Sequence, residues 1–163
     1  AGYGNIGKKV GSIAEALGCN VIVNKKNPDG LENFTDIDTL CKNSDIISIH
    51  TPLNAGTKNL INKERIAMMK PNAIVINVAR GAVVDEAALC SAVKSGAIGG
   101  IGVDVYSTEP YGDDSPYAAV ARLDNVCLTP HMAWGAYEAR IRCINEIKLN
   151  IKAFLEGKER NRV

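Results

Sequence analysis

Apolar and polar positions along the chain switch between two spacings. Ile6, Val10, Ile13, Ala14 and Leu17 recur on one face of a helix, and Gly18 stands where such a helix stops. Val21-Ile22-Val23 then reads as a buried strand. Asp36 is placed to cap a short helix holding Ile37, Leu40 and Cys41, and Ile46–Ile49 is the next strand. Thr51-Pro52-Leu53-Asn54 reads as a loop, 63–69 as a helix closed off by Pro71, and 73–78 as a near-continuous apolar run. That run suits a parallel sheet covered on both faces. Asp85 caps a helix carrying Leu89, Ala92 and Val93, which Gly96 ends. The last strands are 101–105 and Val126–Leu128, separated by a loop rich in Pro, Gly, Asp and Tyr. Ala139, Cys143, Ile144, Ile147, Ile151, Phe154 and Leu155 then mark a long amphipathic helix over 136–156. Strand and helix alternate throughout, without internal repeat or linker. The expected fold is α/β, a Rossmann-type doubly wound parallel sheet with right-handed crossovers.

Composition narrows the function classes. With 163 residues, 46% of them hydrophobic and 23% charged, the chain is long and apolar enough for one globular core. A net charge of +1 gives no basic footprint for nucleic acid, and the tail Lys158-Glu159-Arg160-Asn161-Arg162 reads as a solvated end. No apolar run reaches the roughly 18 residues of a membrane helix, and no signal peptide is recognised. The five cysteines, Cys19, Cys41, Cys90, Cys127 and Cys143, are odd in number and form no C-x-x-C pair. They read as reduced thiols of a cytoplasmic protein, most of them small core residues, with no metal site. The chain opens without Met on a glycine turn that normally follows a strand. It is therefore expected to be a fragment lacking its first strand.

That turn is Gly2-Tyr3-Gly4-Asn5-Ile6-Gly7. In G-x-G-x-x-G the first glycine makes the turn, the second admits a pyrophosphate, and the third lets helix meet strand. The helix N-terminus then offers N–H groups to the phosphates. The carboxylate that would bind the adenosine ribose about 20 residues on is missing, and Val23-Asn24-Lys25-Lys26-Asn27 stands there instead. Two lysines suit a 2′-phosphate, so NADP or dual use with NAD is favoured; a solvated turn is the plainer reading. Three polar residues fall after strands: Arg80, Glu109 and His131. An arginine fork can hold a carboxylate, and a histidine can exchange a hydroxyl proton. A carboxylate can orient that histidine. Each also has a structural reading, as a surface ion pair, a loop carboxylate or a helix cap. His50 ends a strand as well, and pattern alone does not choose between the two histidines.

With these residues in view, the chain closely resembles the D-isomer-specific 2-hydroxyacid dehydrogenases. The resemblance runs from the glycine turn through His50-Thr51-Pro52-Leu53 with Thr57, Met69-Lys70-Pro71, Asn77-Val78-Ala79-Arg80-Gly81 and Val84-Asp85-Glu86. It continues in Gly102-Val103-Asp104-Val105, Glu109-Pro110 and Thr129-Pro130-His131. It implies Arg80 as the substrate-binding arginine, His131 as acid/base and Glu109 as its carboxylate partner, and so prefers His131 to His50. It further implies cofactor contacts from Gly2, Gly4, Asn5, Ile6, Gly7, Thr51, Pro52, Thr57, Val78, Ala79, Arg80 and His131. Asp104 would hold the nicotinamide carboxamide. Position 25 would be the ribose-binding acid, and Lys25 is the one clear departure.

His131-Met132-Ala133-Trp134 and the tail from Ala153-Phe154-Leu155-Glu156-Gly157 to Asn161-Arg162-Val163 look similar to the glycerate dehydrogenase (hydroxypyruvate reductase) branch. Trp134 would line the substrate pocket or simply pack. The resemblance implies a homodimer acting on a small 2-oxo or 2-hydroxy acid, with no nucleic acid or membrane partner. Residues 1–163 would be the dinucleotide-binding domain, with the last helix reaching back to a separate substrate domain. Alone, the chain would bind the dinucleotide without completing the reaction. D-lactate or phosphoglycerate dehydrogenase, and a non-catalytic NAD(H)-sensing corepressor, are the alternatives. A methyltransferase gives no role to Arg80 or His131.

Overall fold

A computed structural model describes residues 1–28 and 30–161. Two compact units divide the chain, Ala1–Pro130 and His131–Val163.

The first unit is built on four parallel strands, β1 (Ile46–Ile49), β2 (Ile74–Asn77), β3 (Gly100–Val103) and β4 (Val126–Leu128), in that spatial order. Ile46 lies opposite Ile74, which lies opposite Gly100, and Ile101 lies opposite Val126. Parallel neighbours need crossovers. These are α3 (Lys63–Ala67), α4 (Glu86–Ser95) and, before β4, a 3-10 turn at Pro116–Ala119; α1 (Asn5–Ala16) and α2 (Ile37–Asn43) precede the sheet. Asp36, Asn62 and Asp85 cap α2, α3 and α4 by accepting from the main-chain N–H three residues on. Gly96 closes α4 at a φ of 73°.

Alternate strand residues point to opposite faces. Ile47, Ile49, Val75, Ile101 and Val103 are buried in one cluster with Leu40 and Cys41 of α2, Ile66 of α3 and Leu89 and Val93 of α4. On the other face Ile74 remains 40% exposed and Ile46 is also exposed. The 73–78 run is therefore covered on one side, not two, because the helices that share its core cluster all pack on that side. A cavity of about 540 Å³ runs along the open side, past Ile74, Ile76 and the glycines of β3.

Three other expectations change. Val21-Ile22-Val23 is not a strand: Val23 makes one isolated bridge to Phe34, too little for a ladder, and Ile22 is exposed. The apolar stripe of α1 is not buried. Ile6, Val10, Ile13 and Leu17 are exposed, while Gly7 and Gly11 are buried, because the helix meets the Gly2 main chain and the Tyr3 ring through its glycines. Most cysteines are not core residues either. Cys41 and Cys90 are buried, but Cys19, Cys127 and Cys143 are exposed.

The second unit is the helix α5 (Tyr137–Leu155) with its flanking turns. None of its residues is buried, and Ile144, Ile147, Ile151 and Phe154 are all exposed. Its tail is tied down rather than merely solvated. Arg160 donates to Glu146 at 2.7 Å and to Asn150 at 2.6 Å, which holds the Glu146 carboxyl below its usual range. Of the closing segment, Arg162 and Val163 lie outside the described residues. Among the described residues no helix is long and apolar enough to cross a membrane.

Candidate functional site

The glycine turn is fixed from both sides. Gly2 N–H donates to the Asn24 carbonyl at 2.8 Å, and His50 N–H donates to the Ala1 carbonyl at 2.7 Å. Gly2 has a φ of 86°, and a Cβ there would stand 2.6 Å from the His50 carbonyl carbon. A Cβ on Gly7 would overlap the Gly2 oxygen. Only glycine satisfies either position. Gly4 differs, because nothing lies within 4 Å of a Cβ built on it. It is the N-cap of α1, with no side-chain cap and no acidic residue in the first turn. The positive end of the helix and its first N–H groups are thus left for something other than the protein's own side chains.

In front of this turn lies a cavity of about 560 Å³ lined by Ile6, His50, Thr51, Pro52, Leu53, Val78, Ala79 and Arg80. Three chain segments distant in sequence meet there: the start of α1 and the segments after β1 and β2. Thr57 does not line it. Its hydroxyl closes the adjoining loop, donating to the Pro52 carbonyl at 2.6 Å and accepting from Asn54 N–H at 2.8 Å. His50 is half-buried and sits 2.8 Å from Ser48 Oγ through Nε2. Burial pulls its pKa below the usual histidine value.

The turn carrying Arg80 is shaped from beneath by Asn77, which the resemblance included without a role of its own. Asn77 is fully buried at the end of β2; its Nδ2 donates to the Arg80 carbonyl at 3.0 Å and its Oδ1 accepts from Ala79 N–H at 3.1 Å. The available signal was a polar residue closing an apolar run, since a buried amide needs partners. Arg80 itself is exposed and donates to the Ala79 carbonyl at 2.6 Å. Gly81 lets this turn rest on the loop after β3, because a Cβ there would overlap the Tyr106 carbonyl carbon and the Ser107 nitrogen.

On that neighbouring loop, Glu109 is exposed and accepts from Tyr106 N–H through Oε1 at 3.0 Å. Asp104 is buried at the end of β3 and accepts from the Thr129 hydroxyl at 2.5 Å. Asp104 and Thr129 line the carboxyl-end part of the 540 Å³ cavity, and Val78 lines both cavities. Lys25 is half-buried and lines neither, but it directly follows Asn24, whose carbonyl anchors the glycine turn.

His131 is the first residue of the second unit, half-buried and at a φ of 53°. A non-glycine residue adopts this left-handed backbone only where its surroundings impose it. The Trp134 indole N–H donates to the His131 carbonyl at 2.8 Å, and Gly135 N–H donates to the Met132 carbonyl at 2.8 Å. Trp134 is exposed rather than packed. Its ring nitrogen closes the turn that begins at His131.

Known proteins are similar to this chain over nearly its whole length. Residues 1–133 match the model of the D-isomer specific 2-hydroxyacid dehydrogenase, NAD binding domain. Glycerate dehydrogenase of Methylorubrum extorquens is 44% identical over 161 residues, which cover 98% of this chain and 50% of that protein. A solved acyclic imino acid reductase in complex with NADPH and D-Arg superposes with a TM-score of 0.89 at 39% identity, covering 99% of this chain and 52% of that one. A D-lactate dehydrogenase with NAD+ from Lactobacillus jensenii superposes at 0.88 and 34% identity, covering 99% and 53%. The chain thus spans about half the length of the relatives it matches.

Proposed function

The chain belongs to the D-isomer specific 2-hydroxyacid dehydrogenase family, and we propose that it forms the dinucleotide-binding part of an enzyme that reduces hydroxypyruvate or glyoxylate. The observation that carries this reading is the 560 Å³ cavity between the uncapped start of α1 and the segments at 50–53 and 78–80. The space above Gly4 fits a pyrophosphate, and the bare helix end fits its charge. Ile6, Thr51, Pro52, Val78 and Ala79 would hold the rest of the dinucleotide, with Asp104 at the nicotinamide carboxamide. A bound nicotinamide would supply hydride to the substrate carbonyl carbon. Arg80 binds the substrate carboxylate through its guanidinium fork. His131 gives its proton to the carbonyl oxygen as that oxygen becomes a hydroxyl, and Glu109 favours the charged imidazole that this requires.

Lys25 supports NADPH use, since a cation beside the adenosine ribose favours the 2′-phosphate where a carboxylate would repel it. The other wall of the substrate cleft would come from outside these 163 residues, and two copies of the whole protein would associate as a homodimer. Steady-state turnover of hydroxypyruvate by the whole protein tests the reading, with NADPH and NADH compared. Turnover is expected, and Lys25→Asp should shift the preference towards NADH by about tenfold, the scale of one charge-assisted bond. His131→Gln should cost on the order of 10²–10⁴-fold in turnover with nucleotide affinity retained. Absence of turnover with any 2-oxo acid would leave a nucleotide-sensing protein instead.

A further inference from the structure

We infer that Tyr106 is a positioning residue that fixes, from inside the core, both the Glu109 carboxylate and the Asp104–Thr129 pair at the carboxyl ends of β3 and β4. The ring is buried, yet both polar ends of the residue are turned towards proposed site loops. Its main-chain N–H donates to Glu109 Oε1 at 3.0 Å. Its hydroxyl donates to the Thr129 carbonyl at 2.9 Å, with the Val103 carbonyl further off at 3.4 Å. Thr129 N–H in turn donates to the Val103 carbonyl at 2.9 Å, and its hydroxyl donates to Asp104 Oδ1 at 2.5 Å. One phenol therefore holds the residue that holds Asp104. The loop bearing Arg80 rests on the same residue, through the close approach of Gly81 to the Tyr106 carbonyl carbon.

Two further observations separate this from ordinary core packing. Tyr111 and Tyr117 clamp the ring, with centroids 4.7 Å and 5.4 Å away, so the hydroxyl has little freedom to seek another partner. Burial pushes the phenol pKa up to about 12, which keeps it a donor throughout the neutral range. A phenylalanine would fill the same ring space without having to satisfy a hydroxyl in the core. The hydroxyl's contribution is then to geometry at the strand ends rather than to the volume of the core.

The inference rests on the proposed placement of the nicotinamide at Asp104, and binding separates the two. In the whole protein, Tyr106→Phe should weaken NADH about five- to tenfold, the worth of one hydrogen bond. It should leave ADP-ribose, which lacks the nicotinamide, within about twofold. Equal loss of both ligands would make Tyr106 a stability residue only, and no change in either would remove its role; both outcomes overturn the inference. If Tyr106→Phe does not fold, Thr129→Val breaks the same chain at its next bond and should show the same selective loss. A parent protein that binds neither nucleotide would instead bring down the functional reading itself.

Discussion

The helices α1 and α4 belong to the same unit and are of similar length, yet they use their ends and faces in opposite ways. α4 starts on Asp85, which accepts from Ala88 N–H at 3.0 Å, carries Glu86 in its first turn and closes on left-handed Gly96. It buries Leu89, Cys90, Ala92 and Val93. α1 starts on Gly4 with neither a side-chain cap nor an acidic first turn, and its buried residues are two glycines. A helix that serves stability satisfies its own N-terminus and fills the core. One that serves an anionic ligand leaves its N-terminal N–H groups to that ligand and approaches its neighbours through residues without side chains. On the proposed function the difference is one of purpose, and it is open to mutation.

The largest effect should fall on α4. Leu89→Ala removes a fully buried side chain and should cost about 3 kcal/mol of stability. Ile13→Ala on α1, where the side chain is 51% exposed, should stay within about 0.5 kcal/mol. Denaturant unfolding checks both, and equal costs would break the contrast. Gly4→Asp reverses the usual link between stability and function. The open space above Gly4 admits the side chain, and the new cap should hold or slightly raise stability. The same carboxylate would occupy the N–H groups and repel phosphate, so dinucleotide affinity should fall more than about tenfold, the scale of a lost charge-assisted bond. Unchanged affinity would mean that the bare helix end binds nothing. Asp85→Ala is the mirror experiment: about 1 kcal/mol of stability lost, with nucleotide affinity untouched.

The smallest effect is in pH. His50, beside the glycine turn, has a folded pKa below its unfolded value, so the folded state takes up fewer protons. Its contribution to stability is full above the unfolded pKa and is lost as the pH falls through the two values. His50→Gln should flatten the acid side of the stability profile, while Asp85→Ala leaves that part of the profile in place.

The sequence showed the helix caps Asp36 and Asp85, the strands Ile46–Ile49 and Val126–Leu128, and the glycine turn at their observed positions, because these are local. A capping carboxylate reaches three residues, and an apolar run needs only its own spacing to show. The positions of Arg80 after β2 and of Glu109 after β3 were legible for a related reason, since polar residues placed after strands fall at the carboxyl edge of a parallel sheet. What lay beyond spacing was the identity of each partner. Val21-Ile22-Val23 had the composition of a strand, but a strand is defined by its neighbour's hydrogen bonds, and one bridge was all it found. The stripe Ile6, Val10, Ile13 and Leu17 showed a face without showing whether anything covers it.

Asn77 and Tyr106 illustrate the same limit at the site. Each looked like part of a strand or loop; Tyr106 gained its role from Thr129, which the sheet brings near, whereas Asn77 bonds two polar groups of the turn just after it and owes only its burial to the sheet. The sequence by itself determined the helices, the four strands of the sheet, the caps Asp36 and Asp85, the glycine turn and the family. Tertiary structure decided which faces are covered, which polar groups hold the loops, and that the start of α1 shares one cavity with Arg80. Periodicity and capping act over a few residues and are written locally. Burial and long-range hydrogen bonds exist only once the sheet has brought distant segments together.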